Sequence, residues 1–232
     1  MTQADAEPNG TAHPPGRVAR SFMSRDSFEF GREISFFDAV YGFAATLLIS
    51  NVDAPPPDAW RSFATLEASG LPTQVLGFAL SFTVIAVFWR VNVRLVRRLT
   101  GMDGVTTFVN LVATALVILI AFTTQGISDP DSWGLVLPTA LYAINIALVA
   151  VAQLAVMQVA RARGLERTPM TREENALYVV DSLVSPAVFL ISVPIAFAYG
   201  AHAGRWTWAA LLVLGPLSGV ISDRVARRHR ER

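Results

Sequence analysis

Arg32-Glu33-Ile34-Ser35-Phe36-Phe37-Asp38-Ala39-Val40-Tyr41-Gly42-Phe43-Ala44-Ala45-Thr46-Leu47-Leu48-Ile49 is the stretch on which the reading of this chain turns. It is apolar enough to enter a bilayer, yet it opens on an arginine and carries an aspartate one to two turns further on. A charge inside a membrane segment is costly unless it is paired or faces water, so it marks a functional site by default. Two readings stand side by side: a functional site, or an interfacial Arg32–Asp38 pair that orients the first helix.

The rest of the chain repeats the apolar theme. It is 53% hydrophobic with a mean hydropathy of +0.44, above an ordinary soluble domain. Six stretches approach or exceed the length that spans a hydrocarbon core, at approximately Ser35–Val52, Leu71–Val96, Val105–Ile127, Trp133–Ala160, Ala176–Ala203 and Trp206–Ser222. The third and fourth carry no charged residue. No alternation of polar and apolar residues suggests a barrel, so helices are the spanning solution and no strand is predicted. The expected fold is an all-α membrane protein of six transmembrane helices per subunit.

All nineteen basic residues are arginines, and their placement sets the topology. Arg17, Arg20, Arg25 and Arg32 precede the first span, Arg94, Arg97 and Arg98 close the second, and Arg161, Arg163, Arg167 and Arg172 follow the fourth. Five more crowd the segment after 223. The opposite loops hold only Arg61 and Arg205, among five carboxylates. The positive-inside rule then places both termini in the cytoplasm. Residues 1–30 read as a disordered cytoplasmic arm, 31–222 as the transmembrane domain, and 223–232 as a basic cytoplasmic tail. The basic residues flank spans rather than line one soluble face, which argues against nucleic acid as a partner. Membrane lipid is the expected surrounding.

Little in the chain points to an enzyme. There is no cysteine, and His13, His202 and His229 all lie outside the middle of a span. Zinc motifs, paired haem ligands and a histidine-based triad are therefore missing, and no cofactor is called for. Thr171-Arg172-Glu173-Glu174 reads as a helix start with acids in its first turn.

What remains is the first span and a few intramembrane polar groups. Helical spacing puts Phe36, Ala39/Val40, Phe43, Thr46/Leu47 and Ser50 on one stripe, with Asp38, Tyr41, Ala45 and Leu48 opposite. At 100° per residue, Asp38 lies about 140° around the wheel from Phe43. A pathway lined by Phe43 and Leu47 would thus leave Asp38 to bond a neighbouring helix, with Arg32, Trp89, Asn92 and Asn110 as the partners within reach. Asn145 and Gln153 read as ordinary interhelical hydrogen-bonding amides.

Arg32-x-x-x-Phe36-Phe37-Asp38 followed by Phe43-Ala44-Ala45-Thr46-Leu47-Leu48 resembles the signature of the transmembrane protein 175 family of potassium channels, in its single-repeat prokaryotic form. Phe88-Trp89-x-x-Asn92, Asn110-Leu111 and Tyr142-Ala143-x-Asn145 support the likeness. The resemblance implies a homotetramer whose four first helices line a pore for potassium, a weakly selective monovalent-cation channel of a prokaryotic plasma membrane. It implies a hydrophobic constriction in place of a carbonyl filter, mapping to Phe43, Leu47 and Ser50, with Thr46 contributing selectivity. Arg32, Phe36 and Asp38 would form the structural motif, in register with Trp89, Asn92 and Asn110.

The chain departs from the pattern where Phe37 stands for the motif serine, Ala39 for the following glycine and Asn92 for a histidine. Phe43 is also bulkier, and Ser50 more polar, than the family's usual residues. Two other functions remain in view: a proton-coupled secondary transporter using Asp38 and Asp181, and a non-conducting membrane scaffold derived from the channels. The lack of an internal repeat speaks against the first.

Overall fold

The computed structural model describes residues 22–211. A short strand β1 (Phe22–Ser24) leads into α1 (Phe28–Leu47), which tightens into a 3-10 turn over Leu48–Asn51. A second 3-10 turn (Pro57–Arg61) and the short α2 (Phe63–Ala68) cross to α3 (Leu71–Arg97). Strand β2 (Gly101–Asp103) then opens directly into α4 (Gly104–Ser128), followed by α5 (Val136–Ala162), α6 (Arg172–Tyr199) and α7 (Ala201–Trp206).

Five of these helices are long and apolar enough to cross a membrane: α1 with its 3-10 extension, α3, α4, α5 and α6. The chain is a multi-pass α-helical membrane protein. The sixth span expected at Trp206–Ser222 begins with the end of α7 and a 3-10 turn at Thr207–Ala210. Its remainder from residue 212 lies outside the described residues, as do residues 1–21 and the basic tail.

The helix ends follow local chemistry. The Ser27 hydroxyl accepts from the Phe30 amide (3.2 Å) and Glu29 stands in the first turn, so α1 starts at Phe28 rather than near Ser35. Thr171 and Glu174 form the reciprocal capping box that starts α6. Gly200, at φ 93°, ends α6 in a conformation that other residues avoid. Pro186 and Pro194 lie within α6.

Two features of the arginine-rich end differ from expectation. The segment before residue 31 is folded from Phe22 onward, and two strands occur where none is predicted. Met23 pairs with Met102 and Ser24 with Gly101 in an antiparallel ribbon. A Cβ on Gly101 would sit 2.2 Å from the Met23 carbonyl oxygen, so only glycine lets the two chains approach. The pairing joins segments far apart in sequence and only three residues long, which gives no periodicity to read.

Backbone bonds extend the seam, from Thr100 N–H to Leu165 O (2.9 Å) and from Arg167 N–H to Arg98 O (2.8 Å). Arg25 donates to the carbonyls of Val96 and Arg97 (3.4 and 3.3 Å), closing the C-terminus of α3 with a cation. Asp103 caps α4 by accepting from the Thr106 amide (3.0 Å) and hydroxyl (2.8 Å), and it pairs with Arg163 beyond α5. Burial works against ionised Asp103, but the bonds from Thr106 and Arg163 outweigh it and hold the carboxyl below its ordinary pKa.

The core runs through the bundle along α5, whose Tyr142, Ile146, Val149, Val156 and Met157 are buried. One apolar cluster gathers Leu48, Ile85, Ile120, Tyr142 and Phe189, and a second at the arginine-rich end gathers Phe30, Phe37, Leu99, Met102 and Met157. Beside the first, the Thr124 hydroxyl donates to the Ile120 carbonyl (2.6 Å) and meets the Ser81 hydroxyl (2.7 Å), which also meets the Tyr142 hydroxyl (3.1 Å). Three helices thus share one fully buried hydroxyl cluster, which satisfies polar groups that the lipid would leave unpaired.

Candidate functional site

α1 packs against α3 and α4, and its inner face is decided by size and aromaticity. Phe37 (1% exposed), Tyr41, Ala44 and Leu48 are buried on that side. The other side is left open by the chain's own bundle: Arg32, Ser35, Phe36, Ala39, Gly42, Phe43 and Thr46 are all exposed, with Phe43 at 61%. Phe36, Phe43 and Thr46 therefore lie on one uncovered surface. Leu47 does not share it fully; it is half-buried and packs on the core around Leu48 and Tyr142. Ser50 is exposed, but it belongs to the 3-10 turn, where three residues per turn replace 3.6 and the stripe shifts. Ile49, which the even helical wheel passes over, is exposed beside it (59%).

Thr46 makes one bond that bears on its chemistry. Its hydroxyl donates to the Phe43 carbonyl at 2.8 Å, one turn back on the same helix. The proton is thereby committed to the backbone, and what Thr46 presents outward is an oxygen with acceptor capacity only.

Asp38 lies at the edge of the open face. It accepts from the Trp89 indole Nε1 at 2.9 Å, tying α1 to α3. Of the four partners within reach, Trp89 holds it; Arg32 instead lies over the Phe28 ring, 5.8 Å from its centroid. No Arg32–Asp38 ion pair occurs among the described residues, so the pair proposed to orient the first helix is absent. Six residues along α1 set the two charges about 120° apart around the cylinder, whereas α3 presents an indole N–H to Asp38.

Asn92 and Asn110 meet each other: the Asn92 Nδ2 donates to the Asn110 Oδ1 at 2.8 Å, both fully buried between α3 and α4. Gln153 of α5 does more than a generic amide. Its Nε2 donates to the Tyr41 hydroxyl (2.9 Å) and to the Phe88 carbonyl (2.9 Å), so one side chain clamps α1 and α3 onto α5. The sequence shows an amide in an apolar run, but not which two helices it reaches. No cluster of three or more metal-ligating side chains exists among the described residues.

Residues 32–120, which include all of α3 and most of α1 and α4, match the family model described as "Endosomal/lysosomal potassium channel TMEM175". Among solved structures, the fold is similar to a lysosomal potassium-selective channel TMEM175 homologue from Chamaesiphon minutus. That match has a TM-score of 0.64 at 20% identity and covers 84% of this chain and 99% of that one. A variant of the potassium channel MtTMEM175, solved with a nanobody–MBP fusion protein, matches with a TM-score of 0.52 at 19% identity, covering 93% of this chain and 99% of that one. No curated protein matches the chain. At these identities the solved structures establish the fold, and the family model covers the helix that carries the open face, α1. Over residues 32–120 the chain is similar to the TMEM175 family of potassium channels, and its fold is similar to that of the two solved channels.

Proposed function

We propose that the chain is the subunit of a homotetrameric, weakly selective potassium channel of a prokaryotic plasma membrane, with both termini cytoplasmic and α1 lining the conducting path. The observation that carries this reading is the uncovered face of α1. A face turned to lipid would be uniformly apolar. This one mixes Phe36, Ala39 and Phe43 with Arg32, Ser35 and Thr46, a composition that suits an aqueous path or a partner helix better than acyl chains. Gly42 and Ala39 on the same side allow close approach of another helix.

In this reading four Phe43 side chains form the principal constriction, with Leu47 and Ser50 flanking it, and an apolar ring gates by dewetting. Thr46, its proton held by the Phe43 carbonyl, offers an acceptor oxygen to a partly dehydrated cation. Asp38, held by Trp89, together with Arg32 and Phe36, sets the height and rotation of α1 at the cytoplasmic end, and the Asn92–Asn110 bond keeps α3 and α4 in register behind it. The solved relatives are described as potassium channels, which makes potassium the ion to test.

The test is flux from potassium-loaded liposomes bearing the purified chain, with sodium and caesium compared and valinomycin as control. Potassium-favouring flux that rises or loses selectivity in Phe43→Ala is expected. Equal flux and selectivity in the two proteins would remove Phe43 from the constriction, and silence in both despite correct insertion would falsify the channel reading.

A further inference from the structure

A cleft of about 1030 Å³ opens between α3, α5 and α6 at the arginine-rich end of the bundle. It lies behind α1 and plays no part in the conducting path proposed above. Its mouth is ringed by Arg94, Arg97, Arg98 and Arg167; its two carboxylates are Glu174, at that level, and Asp181, deeper along α6. None of the four arginines makes an ion pair among the described residues. Arg98 is held over the Tyr178 ring, 5.4 Å from its centroid, and Arg94, Arg97 and Arg167 are exposed.

Deeper in, the cations end. There Val87 and Val91 of α3 and Leu154 of α5 line the cleft together with the polar side chains of Gln153, Asp181, Ser182 and Ser185. About 16 Å of helix axis separates the level of Val87 from that of Arg98. The cleft is therefore graded along the membrane normal, cationic at the headgroup level and free of cations deeper in, where one wall, along Val87, Val91 and Leu154, is aliphatic. Its volume lies at the upper end of the range for small-molecule sites.

We infer that this cleft binds an anionic phospholipid of the arginine-rich leaflet, the cytoplasmic one in the topology proposed above. The phosphate sits among Arg94, Arg97, Arg98 and Arg167, and an acyl chain runs along Val87, Val91 and Leu154. Arginine suits this task because its planar guanidinium forms paired bonds to phosphate oxygens and is weakly hydrated. Basic pockets between transmembrane helices on the cytoplasmic side are a recurrent solution for anionic headgroups. A zwitterionic lipid would bring its own cation into an already positive ring, so the charge selects against it.

The experiment is native mass spectrometry of the purified full-length chain in detergent with equal amounts of dioleoyl-phosphatidylglycerol and dioleoyl-phosphatidylcholine. The expected result is preferential retention of phosphatidylglycerol. That retention should weaken about five-fold for each arginine removed, in Arg167→Gln and then in Arg94→Gln/Arg97→Gln/Arg167→Gln. Arg167→Gln is the safer variant for folding, because the loop there is held by the Arg167 backbone amide on the Arg98 carbonyl. Arg61→Gln, at the opposite end of the bundle and paired with Asp58, should retain lipid like the parent chain. Equal retention of the two lipids, unchanged retention in the triple variant, or an equal loss in Arg61→Gln would each overturn the proposal. So would displacement of the lipid by millimolar inorganic phosphate, which would make the cleft an anion site without a lipid role. None of these readouts depends on ion flux, so the lipid site and the channel reading fail separately.

Discussion

Gln153 offers the sharpest quantitative handle on how α1 is held. It is buried in α5, and its Nε2 donates at 2.9 Å both to the Tyr41 hydroxyl and to the Phe88 carbonyl. Gln153→Leu keeps the approximate volume but removes both bonds. At about 0.6–1.7 kcal/mol for each interhelical bond in a membrane protein, the loss should total about 1–3 kcal/mol. Tyr41→Phe removes one bond and leaves Gln153 its other acceptor, so its cost should be about 1 kcal/mol.

The informative quantity is the double variant. In the Gln153→Leu background the buried Tyr41 hydroxyl has lost its partner, and deleting it relieves an unsatisfied group instead of breaking a bond. Tyr41→Phe should then be neutral or stabilising, which gives a coupling energy of about 1 kcal/mol or more. Reversible unfolding of the four proteins in mixed micelles measures it. Additive effects, with coupling near zero, would show that the clamp contributes nothing and that shape alone seats α1.

Two further substitutions test other joints. A Cβ on Gly77 would stand 2.5 Å from the Ser128 Cβ and 3.3 Å from its Cα, so Gly77→Ala should push α3 off α4 and cost about 1–3 kcal/mol. Gly134→Ala, with nothing within 4 Å, should leave thermal unfolding unchanged; equal effects from the two would refute the close approach. Asp103→Asn keeps a good capping acceptor but loses the charge opposite Arg163. Because Asp103 titrates below its ordinary value when folded, its contribution is complete above the usual carboxylate range and fades as pH falls through the folded pKa. The parent chain should therefore be more stable than the variant at pH 7, and the gap should close in acid below about pH 4. A gap independent of pH would count against the ion pair.

The five spans among the described residues were legible because burial in lipid demands length and apolarity, and those are properties of local sequence. The ends were less so. α1 begins at Phe28 because Ser27 caps it, a signal that an apolarity window centred on the later residues passes over. The β1–β2 ribbon, the Asp103–Arg163 pair and the bond from Arg167 to the Arg98 carbonyl all join segments distant in sequence. The same limit hid the cleft. Arg94, Arg97, Arg98 and Arg167 each read as a topological anchor, since the sequence shows the sign of a charge and the span end it flanks, but not which helices converge around it.

The first helix shows where the reading from the wheel stops. Periodicity gives angles, and it sets Asp38 well apart from Phe43, yet both side chains are exposed. The width of the uncovered arc is decided by neighbours: among the described residues α3 and α4 pack along α1, and α5 reaches it through Gln153. Taking Phe43 as the origin, the exposed positions run from Asp38 at about −140° to Phe36 at about +20°, and the buried ones cluster around Phe37 and Tyr41 at about +120° to +160°. The centre of the open arc is therefore Ala39 and Thr46, with Phe43 towards one margin and Asp38 at the other, where the Trp89 indole reaches it. An aspartate at that margin borders the face without lining it. That position reconciles a charge at membrane depth with the proposed constriction, because the indole satisfies the carboxylate from the side while Phe43 and Thr46 remain turned outward.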